Sequence, residues 1–337
     1  MILYIVIPCY NEQEVLQWAV DKLQPIIETL QNELQITTRL MLVDDGSKDE
    51  TWNICNQLTQ QYNNVEALKL AHNVGHQNAL WAGMEQVVEH CDAMVSIDAD
   101  LQDDPYAIIE MAKQLKYNHC DIVYGVRKER KTDSFFKRTS ALAFYRVMQW
   151  VDKETIYNHA DFRMMSKRAL TALLQYSERN LFLRGIVRQL GFKEARVYYN
   201  RTERTAGESK YPLRKMISFS VQGITSFSTA PLRFITLIGL SMTLVSVVMI
   251  IFGLVDYLMG NTIQGWTSLL VSLWFIGGIT TTGVGITGVY VGKIYNEVKR
   301  RPRYFIEQTI QSKQINKNEI LQLFLIALSL CSIESYS

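Results

Sequence analysis

The chain has 337 residues and a formal net charge of +2, which is room for one large domain or two smaller ones and no global electrostatic pull toward nucleic acid. Its five cysteines, Cys9, Cys55, Cys91, Cys120 and Cys331, are odd in number and form no C-x-x-C pair. That pattern argues against a disulfide framework or a zinc site and suits a reducing compartment. The apolar start MILYIVIPCY lacks a basic leading region and a small-residue cleavage site, so it reads as a first strand and not as a signal peptide.

In chain order, Leu3–Pro8, Arg39–Val43, Val65–Leu70, Ala93–Ile97 and Asp121–Gly125 are short apolar runs that predict buried strands. Helix-like segments separate them at Gln13–Leu34, Lys48–Gln61, Gly75–Glu89 and Asp104–Lys116. Strand-helix alternation of this kind predicts an α/β domain on a parallel sheet covered on both faces. Ligands of such sheets bind beyond the carboxyl ends of the strands. Residues 126–215 are more polar, rich in Arg and Lys and less periodic, and are expected to complete the same domain with mixed helices and loops.

No charged residue occurs from Phe234 to Val255, nor from Tyr257 to Gly292. Each stretch exceeds the ~20 apolar residues that cross a bilayer. Two membrane spans are therefore expected, at 231–258 and 266–291, after a juxtamembrane linker or amphipathic helix at 214–230. The loop between the spans holds Asp256 and no Lys or Arg, whereas Arg214, Lys215 and Arg233 flank one side and Lys293, Lys299, Arg300, Arg301 and Arg303 the other. By the positive-inside rule, residues 1–213, the basic tail 292–337 and both termini lie in the cytoplasm. Gly277, Gly278, Gly283, Gly285, Gly288 and Gly292 make the second span rich in small residues, which permits hairpin packing or a homo-oligomer.

Three polar clusters follow predicted strands: Pro8-Cys9-Tyr10-Asn11-Glu12, Asp44-Asp45-Gly46-Ser47, and Asp98-Ala99-Asp100-Leu101-Gln102-Asp103-Asp104. In a parallel sheet these ends converge on one rim. Clustered carboxylates raise one another's pKa, and a cation removes that repulsion. Hard oxygen donors favour Mg²⁺ or Mn²⁺, which typically bridge carboxylate to substrate phosphate. The plainer alternative is loop aspartates that cap helices, and Asp103-Asp104-Pro105 fits such a cap for the next helix.

In the segments VIPCYNE (6–12), VDDGS (43–47) and DADLQDDP (98–105) the chain resembles glycosyltransferase family 2, whose members have the Rossmann-like GT-A fold. The resemblance implies that Pro8, Tyr10, Asn11, Glu12, Asp44 and Asp45 line a nucleotide pocket. It also implies that Asp98, Asp100 and Gln102 hold the metal and the donor diphosphate. With Arg127, Lys137-Arg138, HADFR (159–163), RTERTAGESKY (201–211) and the two spans, the chain is similar to the polyprenyl-phosphate branch, most of all to bactoprenol glucosyltransferases and also to dolichol-phosphate mannose synthases. That likeness puts Arg127, Lys137, Arg138 and Arg163 on an acceptor phosphate. It puts Arg201, Arg204, Ser209, Lys210 and Tyr211 in a loop over the donor diphosphate. Asp161 and Asp100 become the catalytic carboxylates, with Asp161 either a base or a residue that orients the acceptor or Arg163.

The activity so implied is a metal-dependent, inverting hexosyl transfer onto undecaprenyl or another polyprenyl phosphate at the cytoplasmic membrane face. The donor implied is a nucleotide sugar, UDP-glucose first and GDP-mannose second. Physical chemistry agrees with basic acceptor contacts, because two anionic substrates must meet and Arg forks onto phosphate. A processive polysaccharide synthase is disfavoured by the lack of a Q-x-x-R-W motif and by too few spans. A non-catalytic nucleotide-sugar-binding protein is disfavoured by the intact Asp98, Asp100, Asp161 and Arg127.

Overall fold

The computed structural model describes residues 1–127, residues 159–200 except 180 and 182, individual residues between 232 and 259, and residues 265–311. The first part alternates β1 (Ile2–Cys9), α1 (Leu16–Leu34), β2 (Thr37–Asp44), α2 (Thr51–Gln61), β3 (Val65–Leu70), α3 (His76–Val87), β4 (Ala93–Ser96), α4 (Ala107–Asn118) and β5 (Ile122–Arg127). These are the five strands and four helices expected there, each end within three residues of its predicted place. The late helix starts have a local cause. Residues ahead of the helices are held in turns by short polar side chains, as where Asp104 Oδ1 accepts from the Tyr106 amide at 3.0 Å.

The remaining elements are β6 (His159–Ser166), α5 (Lys167–Leu174), α6 (Leu183–Gln189), β7 (Glu194–Tyr199), α7 (Trp266–Lys299) and β8 (Ile306–Ile310). Among the described residues one eight-stranded sheet runs β7-β5-β6-β4-β1-β2-β3-β8. The β4-β1-β2-β3 block is parallel. β6 enters antiparallel between β4 and β5, and β8 closes the far edge antiparallel to β3. The sheet is therefore mixed, where strand-helix alternation alone predicts a parallel one. Residues beyond 127 supply the reversed strands β6 and β8, where His159, Asp161, Arg163 and Glu307 interrupt any apolar run.

β1 shows why the sheet needs two covers. Leu3, Ile5 and Ile7 pack with Leu16, Val20, Leu23 and Ile26 of α1 on one face. Tyr4 and Val6 pack with Leu80, Trp81 and Met84 of α3 on the other. Alternate side chains of a strand point to opposite faces, so a strand that is apolar throughout requires helices on both. Cys9, Cys55, Cys91 and Cys120 are free thiols buried in these layers.

α7 is 34 residues long, or about 50 Å at ~1.5 Å per residue. Within it Phe275–Lys299 is long and apolar enough to cross a membrane, and none of it is buried. It is the one such helix among the described residues. Of the expected first span, most residues lie outside those described, and the described ones between 232 and 255 are helical. The linker 214–230 and the tail beyond 311 also lie outside them.

The segment after α7 returns to the sheet. β8 pairs with β3, Leu68 opposite Thr309, and the Ala71 amide donates to the Phe305 carbonyl at 2.9 Å. The Arg303 guanidinium lies 4.1 Å from the Trp81 ring centroid and donates to the carbonyls of Tyr176 and Glu178 at 2.8 and 2.7 Å. A segment expected as a basic tail is thus partly a strand and a buried arginine clamp, which fasten the end of α7 to the domain.

Candidate active site

The carboxyl ends of β1, β2 and β4 lie side by side. β6 runs the other way, so its beginning reaches the same rim, where Ser96 of β4 faces Arg163 of β6. This reversal brings Asp161 beside the acidic cluster after β4.

The loops after β1 and β2 are stitched together. The Asn11 amide donates to Ser47 Oγ at 3.0 Å, the Lys48 amide to Asn11 Oδ1 at 2.9 Å, and the Glu12 amide to Thr51 Oγ1 at 2.9 Å. Asn11 takes a positive φ of 54°, which asparagine tolerates better than most residues. Tyr10 is left 41 % exposed just past the end of β1, and Pro8 is the penultimate residue of that strand.

Asp44 and Asp45 are adjacent, and the structure gives them different surroundings. Asp45 accepts from the Val74 amide at 2.7 Å, the Gly75 amide at 3.0 Å and Asn73 Nδ2 at 3.0 Å. It shapes the loop ahead of α3. Asp44 Oδ1 accepts from the Ser47 amide at 3.2 Å, while its Oδ2 is buried with no hydrogen-bond partner among the described residues. Burial pushes both carboxyls up, against hydrogen bonds from Ser47 to Asp44 and from the Val74 and Gly75 amides to Asp45. Gly46 permits the packing: a Cβ there would lie 2.6 Å from the His72 carbonyl carbon, and its φ is +63°.

The third cluster divides in the same way. The Asp98 side chain is 49 % exposed and stands 3.6 Å from His76 Nε2 at the start of α3. Its removal from bulk water raises its pKa, His76 opposes, and Asp161, Asp103 and Asp100 add to the rise, which reaches about 6. Asp100 Oδ1 accepts from the Gln102 amide at 3.3 Å. Asp103 is buried and paired with Arg127, whose Nε and Nη2 sit 2.9 and 2.8 Å away. Arg127, expected on the acceptor phosphate, thus has a carboxylate partner at the end of β5. Asp104 makes the turn into α4, as its position before Pro105 predicts.

Asp161 is clamped. Arg184 forks onto it through Nε at 3.1 Å and Nη2 at 2.9 Å, and Arg163 Nη2 adds a contact at 2.8 Å. Burial alone would raise its pKa, but Arg184 and then Arg163 outweigh that and hold it well below the usual carboxylate range. Arg163 has no exposed side-chain surface, and its Nη1 donates to the Leu183 carbonyl at 3.1 Å. That burial takes Arg163 away from an acceptor phosphate and makes it a positioning residue for Asp161. Arg184 and His76 are rim residues that sequence reasoning missed. Neither belongs to an acidic cluster, and α6 and α3 deliver them only once folded.

Lys137, Arg138, Arg201, Arg204, Ser209, Lys210 and Tyr211 lie outside the described residues. Among the described residues no three His, Cys, Asp or Glu side chains form a ready metal cage. Asp98, Asp100 and the side-chain carbonyl oxygen of Gln102 nevertheless fit a hard cation completed by a ligand. Asp98 stands among Asp100, Asp103 and Asp161, with His76 as an opposing group, and magnesium-type sites commonly use one or two carboxylates plus substrate phosphates.

The rim of the α/β sheet thus gathers a buried carboxylate oxygen without a partner among the described residues and a crowded group of carboxylates. The chain belongs to glycosyltransferase family 2: the Glycosyl transferase family 2 profile matches residues 4–174. It is 50% identical over 318 residues to an uncharacterized glycosyltransferase of Bacillus subtilis, YkoT, covering 94% of each chain. It is 37% identical over 307 residues to the SfII prophage-derived bactoprenol glucosyl transferase of Shigella flexneri, covering 90% of this chain and 97% of that one. A solved glucosyl-3-phosphoglycerate synthase from Mycobacterium tuberculosis is 18% identical with a TM-score of 0.47, covering 67% of this chain and 78% of that chain.

Proposed function

We propose that this glycosyltransferase moves a hexose, glucose from UDP-glucose in the first instance, onto undecaprenyl or another polyprenyl phosphate at the cytoplasmic face of a membrane, with inversion at the anomeric carbon. The observation that carries the reading is the junction of Asp98, Asp100 and the clamped Asp161 on one rim beside the orphaned Asp44 oxygen. The relatives named bactoprenol glucosyl transferase, similar along 90% of this chain, support the choice of acceptor. α7 supports membrane attachment by length and exposure. The two-span hairpin, with both ends cytoplasmic, is the arrangement that the uncharged stretches and their basic flanks favour.

Asp44 Oδ2 would accept an N–H of the base, which relieves a buried acceptor left without a partner among the described residues. Tyr10 offers an exposed ring just past the end of β1, and Asn11, Glu12 and Asp45 hold the loops of the rim. Asp98, Asp100 and Gln102 would hold Mg²⁺ or Mn²⁺, which when bound neutralises charge on the leaving diphosphate. Arg201, Arg204, Ser209, Lys210 and Tyr211 would add donor contacts, and Lys137 and Arg138 acceptor contacts.

Asp161 acts here as an orienting carboxylate. The acceptor is a phosphate with a second pKa near ~6, so it arrives largely ionised and needs no strong base. A carboxylate held low by two arginines is a weak base. It is, however, a fixed charge that aims the exposed part of Arg184 into the rim, where the two anionic substrates meet.

The test is transfer of radiolabelled sugar from UDP-glucose to undecaprenyl phosphate by purified protein in detergent with Mg²⁺ or Mn²⁺, with GDP-mannose in parallel. A labelled lipid that disappears with chelator is the expected result. A lipid labelled only from GDP-mannose replaces the donor and keeps the reaction class. No labelled lipid from either donor, with nucleotide still bound, removes the proposed reaction.

A further inference from the structure

A cavity of about 350 Å³ lies outside the rim, between the end of α7 and the first turn of α3, with Asn78, Arg179, Lys293, Lys299, Arg301 and Arg303 in its lining. Five of these six residues are cationic, and no carboxylate lines the cavity. Two acids stand at its margin, and Glu85 Oε1 lies 4.0 Å from Arg303 Nη1. Glu297 accepts from the Arg179 amide at 2.8 and 2.9 Å, and Glu85 accepts from Trp81 Nε1 at 2.7 Å and from the Tyr304 hydroxyl.

The cavity is built. The Arg303 side chain is only 8 % exposed, fixed by Trp81 and two carbonyls. Its Nε and that of Arg179 are buried donors with no hydrogen-bond partner among the described residues. Loss of solvent and then like charge from Arg179 disfavour the Arg303 cation, against Glu85 and Glu297. Buried donors of one sign without partners are a cost that an anion removes.

Position selects the anion. Lys293 is the first charge after the uncharged run that ends at Gly292, so this turn of α7 stands at headgroup depth if the helix crosses a bilayer. On the same turns Val291, Ile294 and Val298 are 58 %, 60 % and 72 % exposed. Exposed apolar side chains at this level suit the acyl region of a bilayer. We propose that this cavity binds the phosphate headgroup of an anionic membrane phospholipid. The proposal rests on the membrane placement of α7 and on none of the transferase chemistry.

The test uses the full chain reconstituted in nanodiscs of phosphatidylcholine with phosphatidylglycerol, then released into detergent for native mass spectrometry. Phosphatidylglycerol should be retained over phosphatidylcholine. The exposed pair Lys299→Gln and Arg301→Gln should lower that retention about tenfold or more, since each basic group near an anionic surface multiplies affinity several-fold. Arg301→Lys should restore most of it. Removing two charges elsewhere, Lys113→Gln with Arg196→Gln, should leave it unchanged. Equal retention of both lipids, or retention indifferent to Lys299 and Arg301, overturns the proposal. Displacement by inorganic phosphate alone would mean a free-anion site, and displacement by polyprenyl phosphate an acceptor subsite. Either outcome overturns the phospholipid assignment. Recovery of the chain outside the nanodiscs removes the membrane placement and the proposal with it, whatever the transfer assay shows.

Discussion

Asp161 and Asp44 are buried carboxylates on one rim, with opposite electrostatic surroundings and opposite expected responses to substitution. Asp161→Asn leaves Arg163 and Arg184 facing one another without their shared anion. Breaking a buried pair costs about 3–5 kcal/mol, and a displaced rim group costs about 100-fold in kcat. Thermal melting and turnover should therefore fall together. Asp44→Asn removes a carboxylate that folding desolvates and leaves half unpaired. Its melting temperature should hold or rise, while UDP affinity drops roughly 10- to 100-fold for the loss of a charged acceptor. Calorimetric titration with UDP separates the two effects, and unchanged affinity would remove Asp44 from the base site. The pH responses follow from the same surroundings. The folded pKa of Asp161 is depressed, so the stability it contributes is present above the unfolded value near ~3.9 and is lost as pH falls below it. It should put no limb on the rate profile between pH 5 and 8. Asp98 is the reverse, with its folded pKa raised to about 6. Without an ion the folded state favours its proton, so stability falls as pH rises from the unfolded value through that pKa. A cation and that proton exclude one another, so Mn²⁺ binding followed by electron paramagnetic resonance should weaken as pH falls below about 6. Affinity that stays flat from pH 5 to 7 would take Asp98 out of the metal set.

At the scale of elements, β6 and β8 matter most, and each is reversed relative to the strand it joins. β6 carries Asp161 to the rim because an antiparallel strand begins where its parallel neighbours end. β8 fastens α7 to the sheet edge and also covers β3, whose open edge would otherwise invite pairing with another chain. Arg303 is the pin of this attachment. Arg303→Ala leaves a gap over Trp81 and frees the carbonyls of Tyr176 and Glu178, a loss of about 2–4 kcal/mol for buried packing and charged hydrogen bonds. Limited proteolysis should then cut between α7 and β8 first. A cleavage pattern identical to wild type would mean that β8 holds without its clamp. Neither strand was legible in the sequence. HADFRMMS carries Asp161 and Arg163, and IEQTI is five residues long and carries Glu307, where a buried strand is expected to be apolar. The five strands of the first part were legible because burial on both faces keeps most of their residues apolar.

For the whole molecule, pairing of β8 with β3 places the Lys299 end of α7 on the same side as the sheet. With α7 crossing a bilayer, the chain should resist carbonate extraction from membranes. A cysteine at Gln311, in a Cys331→Ser background, should be labelled by an impermeant maleimide in inverted vesicles and not in intact cells. Labelling in intact cells would reverse the orientation. What the sequence determined by itself was whatever depends on local pattern: strand and helix alternation, the order of the three polar clusters, and an uncharged run long enough for a membrane. These survive without tertiary context because periodicity, turn chemistry and hydrophobic length act over a few neighbouring residues. Tertiary structure alone decided which carboxylates are engaged and which are available. Asp44 and Asp45, or Asp103 and Asp104, are neighbours of the same chemistry, yet their roles differ with partners brought from as far as Val74, Gly75 and Arg127. It likewise decided that Arg184 reaches Asp161 and that a presumed tail completes the sheet, since both depend on segments that meet only when the chain folds.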